Sequence, residues 1–300
     1  MSIVSPLFKP ARIFALPLAF LLVAAPPAQS APLPLTTIDF SGGTDDWNPQ
    51  QTSGKFRRTD SGVTTQVRIE TNGSDAYLRT GGAPTLFYDD NPSTPEFTLL
   101  SVGAGESLHL SVDFSYFNET VTGGLVFGIY SPDATGPNKG FGAAVRFNED
   151  PKTSPPSYLT SWSAFTNTTG GIGSLSLTGF TGVGAIDQGL SASTLYRLEL
   201  IYTNQETQGA FVFNLYSLAG SEPTLIKSST GTLAYGTGTN DLDLDPNSLA
   251  LEFRFNNLNN LGSAISEVRF EVIPEPSVAG LIGAAALGLA ALKAKGKNMQ

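Results

Sequence analysis

Few side chains in this 300-residue sequence could do chemistry, and three groups of them are spaced so that they could act together. His109, Ser111 and Asp113 supply the residue types of a nucleophilic triad. On alternate positions of one strand they would lie about 7 Å apart, too far for the hydrogen bond by which a histidine activates a serine. Their spacing predicts the polar, outward face of a strand instead. Asp241, Asp243 and Asp245 place three carboxylates at spacing two, on one face of an extended segment, where like charges repel unless a cation lies between them. Ca2+ is the natural candidate for that cation. A solvated acidic turn, or carboxylates working on a glycosidic bond, are the other two readings of the same residues. Trp47, Tyr158 and Trp162 stand in segments rich in Gly, Ser and Pro, where aromatic rings either stack on pyranose faces or pack into core and loops.

Much other chemistry is excluded by composition. The absence of Cys removes disulfides, thiolate metal sites and cysteine nucleophiles, and a single His cannot build a multi-histidine metal centre. No G-x-S-x-G elbow is present to support a serine hydrolase. With 26 acids against 17 bases the net charge is −9, so no positive field exists to hold phosphates, and nucleic acid is not an expected partner. Asp45-Asp46 and Asp89-Asp90-Asn91 are of the kind that terminates turns.

The elements that must position these residues are strands. Charged residues make up only 14% of the chain, while Gly at 32 and Pro at 20 are abundant, which disfavours long salt-bridged helices. Apolar residues alternate with polar ones at Leu108, Leu110, Val112, Phe114 and Tyr116, and at Leu125, Phe127 and Ile129. The same period recurs at Tyr196, Leu198, Leu200 and Tyr202, at Phe211, Phe213 and Leu215, at Leu249, Leu251, Phe253 and Phe255, and at Val268, Phe270 and Val272. Shorter candidates at Thr36 to Phe40, Thr64 to Glu70, Ala76 to Thr80, Gly140 to Phe147 and Thr224 to Ser229 bring the number to about a dozen strands. Each must bury one face, and two antiparallel sheets packed face to face do this with least irregularity. The expected fold is therefore all-β, a single jelly-roll β-sandwich over residues 31–273. Asp150 to Ser157 is the best linker candidate, and Thr166 to Gly189 is expected to form long loops. In its pattern of strands the body resembles concanavalin-like lectin and laminin-G sandwiches, by analogy alone.

The two ends carry different signals. Lys9 and Arg12 precede the apolar run Ile13 to Ala25, and Ala28 and Ser30 fit a small-residue cleavage site, so residues 1–30 read as a secretory signal peptide for signal peptidase, with the mature start at Ala31. Near the other end Pro274-Glu275-Pro276 leads into an uncharged stretch over 278–292, closed by Lys293, Lys295 and Lys297. As a helix, Ser277 to Leu292 would reach about 24 Å against a hydrocarbon core of about 30 Å, a marginal membrane span suited to a temporary anchor. The lysines would stop transfer and stay on the cytoplasmic side of the inner membrane. Removing Lys9, Arg12, Lys293, Lys295, Lys297 and Glu275 from the whole-chain counts leaves 12 bases and 25 acids between Ala31 and Ile273, a net of −13.

Residues 274–300, with Pro274, Glu275 and Pro276, the short apolar helix and the basic cluster in that order, resemble the PEP-CTERM sorting signal of exported bacterial proteins. The cluster departs from the Arg-rich form in being Lys spaced by Ala and Gly. The resemblance implies recognition by an exosortase, a Gram-negative-type envelope, and an association with exopolysaccharide or biofilm matrix. The expectation that follows is an exported cell-surface or matrix protein whose sandwich binds polysaccharide without catalysis. A jelly-roll polysaccharide hydrolase or lyase is one alternative, and a structural matrix protein without a specific ligand is the other.

Overall fold

The computed structural model describes residues 33–43, 55–58, 67–72, 75–82, 85–90, 98–116, 123–136, 138–148, 157–165, 172–173, 180–182, 184–186, 190–191, 194–256 and 258–274. The expected signal peptide at 1–30 and the apolar helix at 278–292 lie outside these residues, and among the described residues no helix is long and apolar enough to cross a membrane.

The chain is all-β, and its strands form two antiparallel sheets. The first contains β1 (Thr36–Ile38), β3 (Val67–Asn72), β4 (Asp75–Gly82), β6 (Ser107–Tyr116), β12 (Tyr196–Asn204), β13 (Gln208–Ser217), β14 (Thr224–Ala234) and β16 (Leu258–Ile273). Its order is β14-β13-β12-β6-β16-β4-β3, with β1 also paired to β16. The second contains β2 (Phe56–Arg58), β5 (Thr85–Tyr88), β7 (Gly123–Tyr130), β8 (Gly140–Asn148), β9 (Ser157–Phe165), β10 (Ile172–Gly173), β11 (Gly184–Ile186) and β15 (Ala250–Asn256). Its order is β10-β9-β8-β7-β15-β5-β2, with β11 on β9.

The period-two residues do what their spacing demands. Leu108, Leu110, Val112 and Phe114 of β6, Leu198 and Leu200 of β12, and Phe211, Phe213 and Leu215 of β13 are buried in one cluster with Leu125, Phe127 and Ile129 of β7 and Leu251 and Phe253 of β15. Each such side chain withdraws apolar surface worth about 1.5–3 kcal/mol from water. Rings from opposite sheets meet across this core: Phe141 and Phe211 lie 4.5 Å apart between centroids, and Tyr88 and Phe270 lie 4.7 Å apart.

Two departures from the sequence reading concern the middle of the chain. The stretch Thr166 to Gly189, expected as loop, contributes β10 and β11, and the segment after the linker candidate forms β9, whose Ser and Thr positions mask its alternation. Phe56–Arg58 and Thr85–Tyr88 are also strands, too short to show a period of their own.

Candidate functional site

Three strands far apart in sequence lie side by side in the first sheet, β12 against β6 and β6 against β16. Their inward residues are apolar, so the residues between them must face outward, and the register sorts these into rows. Glu267, Asp113, Arg197 and Tyr216 form one row; Arg269, Ser111, Glu199, Asn214 and Ser228 form the next; Glu271, His109 and Ile201 form a third. A bulge in β16, where the register shifts between Ile265 and Glu267, brings Glu267 opposite Asp113 while Val268 returns to the interior.

The first row is an ionic centre. Arg197 donates from Nε to Asp113 Oδ1 at 2.7 Å and from Nη2 to Oδ2 at 2.8 Å, a bidentate fork. Arg269 approaches the same carboxylate from the other side, Nη1 to Oδ2 at 3.7 Å, and its Nε meets the Glu267 carboxylate. The Asp113 side chain is only 6% exposed, whereas the two arginines are 24% and 28% exposed. The hydrogen bond to Asp113 raises the Arg197 pKa above its ordinary value, and burial lowers that of Arg269.

A second chain of hydrogen bonds runs from the middle row. Ser228 Oγ donates to Asn214 Oδ1 at 2.8 Å, and Asn214 Nδ2 donates to Glu199 Oε2 at 2.7 Å, where the Tyr216 hydroxyl also donates at 3.4 Å. Burial, followed by the Glu199 charge, raises the Tyr216 pKa.

Between the long side chains of these rows stands Ser111, and its shortness leaves a depression of about 210 Å³. His109, Ser111, Arg197, Glu199, Arg269 and Glu271 supply its polar lining. That volume is below the roughly 300 Å³ at which drug-sized sites begin. The side chains of His109, Ser111 and Glu271 make no hydrogen bond or ion pair with the described residues. His109, Ser111 and Asp113 thus share a face, as their spacing requires, but Asp113 is committed to the arginines and not to the histidine.

Leu242 and Leu244 are buried, so the period of the Asp241 to Asp245 segment is set by the leucines. Asp243 Oδ2 accepts the backbone N–H of Thr135 at 2.7 Å and that of Gly136, and a Cβ at Gly136 would press on that carboxylate. Asp245 Oδ1 accepts the N–H of Asn247 at 2.9 Å. Buried Asn138 ties the loops together, its Nδ2 donating to the carbonyls of Thr239 and Asp241 at 2.9 and 2.8 Å. Among the described residues no three His, Asp or Glu side chains gather as a metal site, and the structure does not bring Asp241, Asp243 and Asp245 together as one.

Tyr158 and Trp162 belong to β9, in register with Phe147 and Ala143. Their side chains, and Trp47 altogether, lie outside the described residues. Of the sorting residues, Pro274 follows β16 directly, and Glu275, Pro276, Lys293, Lys295 and Lys297 lie outside. Sequence reasoning passed over Arg197 and Glu199. Their only local signal is that they alternate with the buried Tyr196, Leu198 and Leu200.

No family model matches the chain, and no match is found among curated proteins. Among solved structures, the chain is similar to peanut lectin crystallised with a nine-residue peptide, at TM-score 0.45 and 10% identity over 81% of this chain and 98% of the lectin. Lectin II from Ulex europaeus is similar at TM-score 0.44 and 8% identity, over 81% of this chain and 99% of the lectin. A β-1,3-glucanase from Mycobacterium marinum is similar at TM-score 0.38 and 9% identity, over 81% of this chain and 100% of the enzyme.

Proposed function

We propose that this chain is an exported, exosortase-sorted cell-surface or extracellular-matrix protein of a Gram-negative-type bacterium, and that its sandwich binds polysaccharide without catalysis. The jelly-roll reading belongs to the proposal; it is supported by strands distant in sequence lying side by side, β6 between β12 and β16 and β15 between β7 and β5. The observation that carries the functional reading is the position of β16. It is central to the first sheet, its outward residues Arg269 and Glu271 line the depression, and it ends at Ile273 with Pro274 next in the chain. No linker separates the folded body from the Pro274-Glu275-Pro276 motif, so whatever processes the tail handles the sandwich as cargo. Close by, the Leu33 carbonyl accepts the Val272 N–H at 3.3 Å, next to the last residue of β16.

A rigid sheet face with a small depression and uncommitted polar groups is the kind of surface that takes sugar hydroxyls. The test is co-sedimentation of the full chain, in detergent, with exopolysaccharide from the producing cell, with reducing-sugar release followed in the same tube. Binding without release is expected; release would replace the binding module with a hydrolase, and neither would leave a structural matrix protein. Deleting Pro274 to Gln300 tests the sorting half separately, and unchanged fractionation of the truncated protein would sink it.

A further inference from the structure

Resting on the polysaccharide-binding reading of the same depression, we infer that its ligand is a cationic amino sugar, a hexosamine unit carrying a free ammonium, within a polymer of such units. The guanidiniums that line the site are already paired: Arg197 forks onto Asp113, and Arg269 lies between Glu267 and Asp113. Each guanidinium keeps N–H groups to spare, but its charge is matched, and the ionised groups of the site with no ion pair among the described residues are carboxylates. Glu271 has no partner among the described residues, nor do Ser111 and His109, and Asn214 and Tyr216 both bind the same oxygen of Glu199, leaving its Oε1 open. Glu199 and Glu271 stand on opposite sides of β6, each opposite a residue that lines the depression, Ser111 for the one and His109 for the other.

The charge balance points the same way. Asp113, Glu199, Glu267 and Glu271 outnumber Arg197 and Arg269 by two negative charges around the site. A carboxylate or sulfate group would enter against unneutralised carboxylates, a neutral sugar would gain hydrogen bonds but leave the charges unmatched, and an ammonium would gain hydrogen bonds and neutralise a carboxylate as well. The net charge of −13 on the body would also steer a polycation toward this surface, faster at low salt than at high.

The experiment is calorimetric titration of the full chain in detergent, at one ionic strength, with four probes. These are an oligomer of β-linked glucosamine, the same oligomer fully N-acetylated, a polyuronate of similar length, and an oligomer of lysine. Glu271→Gln and Glu199→Gln are compared with Glu222→Gln, which removes the same charge from an exposed turn outside the depression. The free-amine oligomer is expected to bind at least about tenfold more tightly than its acetylated form, and each site substitution to weaken it about tenfold, with Glu222→Gln without effect. Equal affinity for the acetylated and free-amine oligomers, or preference for the polyuronate, would overturn the inference and leave the polysaccharide reading intact. Lysine oligomer binding as tightly, with the same sensitivity to Glu271→Gln, would replace the sugar by a basic peptide. Failure of every saccharide would end both readings.

Discussion

The two sheets share one core but turn different outward sides to their surroundings. On the first sheet the outward positions carry Asp113, Arg197, Glu199, Arg269 and Glu271, which are ionic and partly open to water except for Asp113. On the second sheet the described outward positions include Phe87, Val126, Tyr130, Ala144 and Ala250, all at most 3% exposed and forming an apolar cluster separate from the main core. Phe87 and Tyr130 meet edge to face at 5.7 Å, and Glu252, in register with Phe87 and Gly128, is buried completely on that side. A sheet covered on both sides holds its strands by packing, whereas a sheet with one solvated side is free to place charged groups in ordered rows. Among the described residues, the ordered charges open to water therefore lie on the first sheet, and the outward cluster of the second is packed.

Substitutions on the two outward sides break or sharpen this contrast. The largest effect is expected from Phe87→Ala, which removes a fully buried ring from the second sheet's outward cluster and should cost about 4 kcal/mol in urea denaturation. Asp113→Ala comes next: it strips the shared anion from under Arg197 and Arg269, and because both arginines remain about a quarter exposed the loss should be about 2–3 kcal/mol, below that of a fully buried pair. A loss under about 0.5 kcal/mol would show that the fork on Asp113 does not organise the first sheet's surface.

The contrast between the sides was only half legible in the sequence. The inward set could be read directly, because Leu198, Leu200, Phe211, Phe213 and Val268 obey a local period that the fold had no reason to break. The site could not, because Asp113 meets Arg197 across 84 residues and no local pattern encodes which strand becomes whose neighbour. His109, Ser111 and Asp113 supply the residue types of a triad and share a face, but the ionic partners of Asp113 come from β12 and β16. The Asp241 to Asp245 segment kept several readings open for a related reason: period two is equally the signature of the buried Leu242 and Leu244, and backbone amides of a distant loop bind Asp243. On the second sheet, Gly124, Val126 and Gly128 between the inward Leu125, Phe127 and Ile129 give no sign that their side of the strand is also buried.

The same insertion on the two sides gives the smaller predictions. Ala144→Leu adds three carbons where the second sheet is fully packed, so it should cost about 2 kcal/mol through displaced neighbours, again measured by urea denaturation. Ser111→Leu adds apolar bulk at the one short side chain between Arg269 and Glu199, where open space receives it. Its stability change should stay within about 0.5 kcal/mol, as for other outward strand positions. Its effect on recognition should be the opposite, because a leucine there fills the depression and displaces any ring that rests on Ser111 while leaving the fork on Asp113 in place. Thermal melts matched to wild type, together with loss of co-sedimentation with polysaccharide, would assign binding to the depression. Retained binding by a well-folded Ser111→Leu protein would move recognition off the first sheet's face, and the rows of charge would then serve only to keep that side of the sandwich solvated.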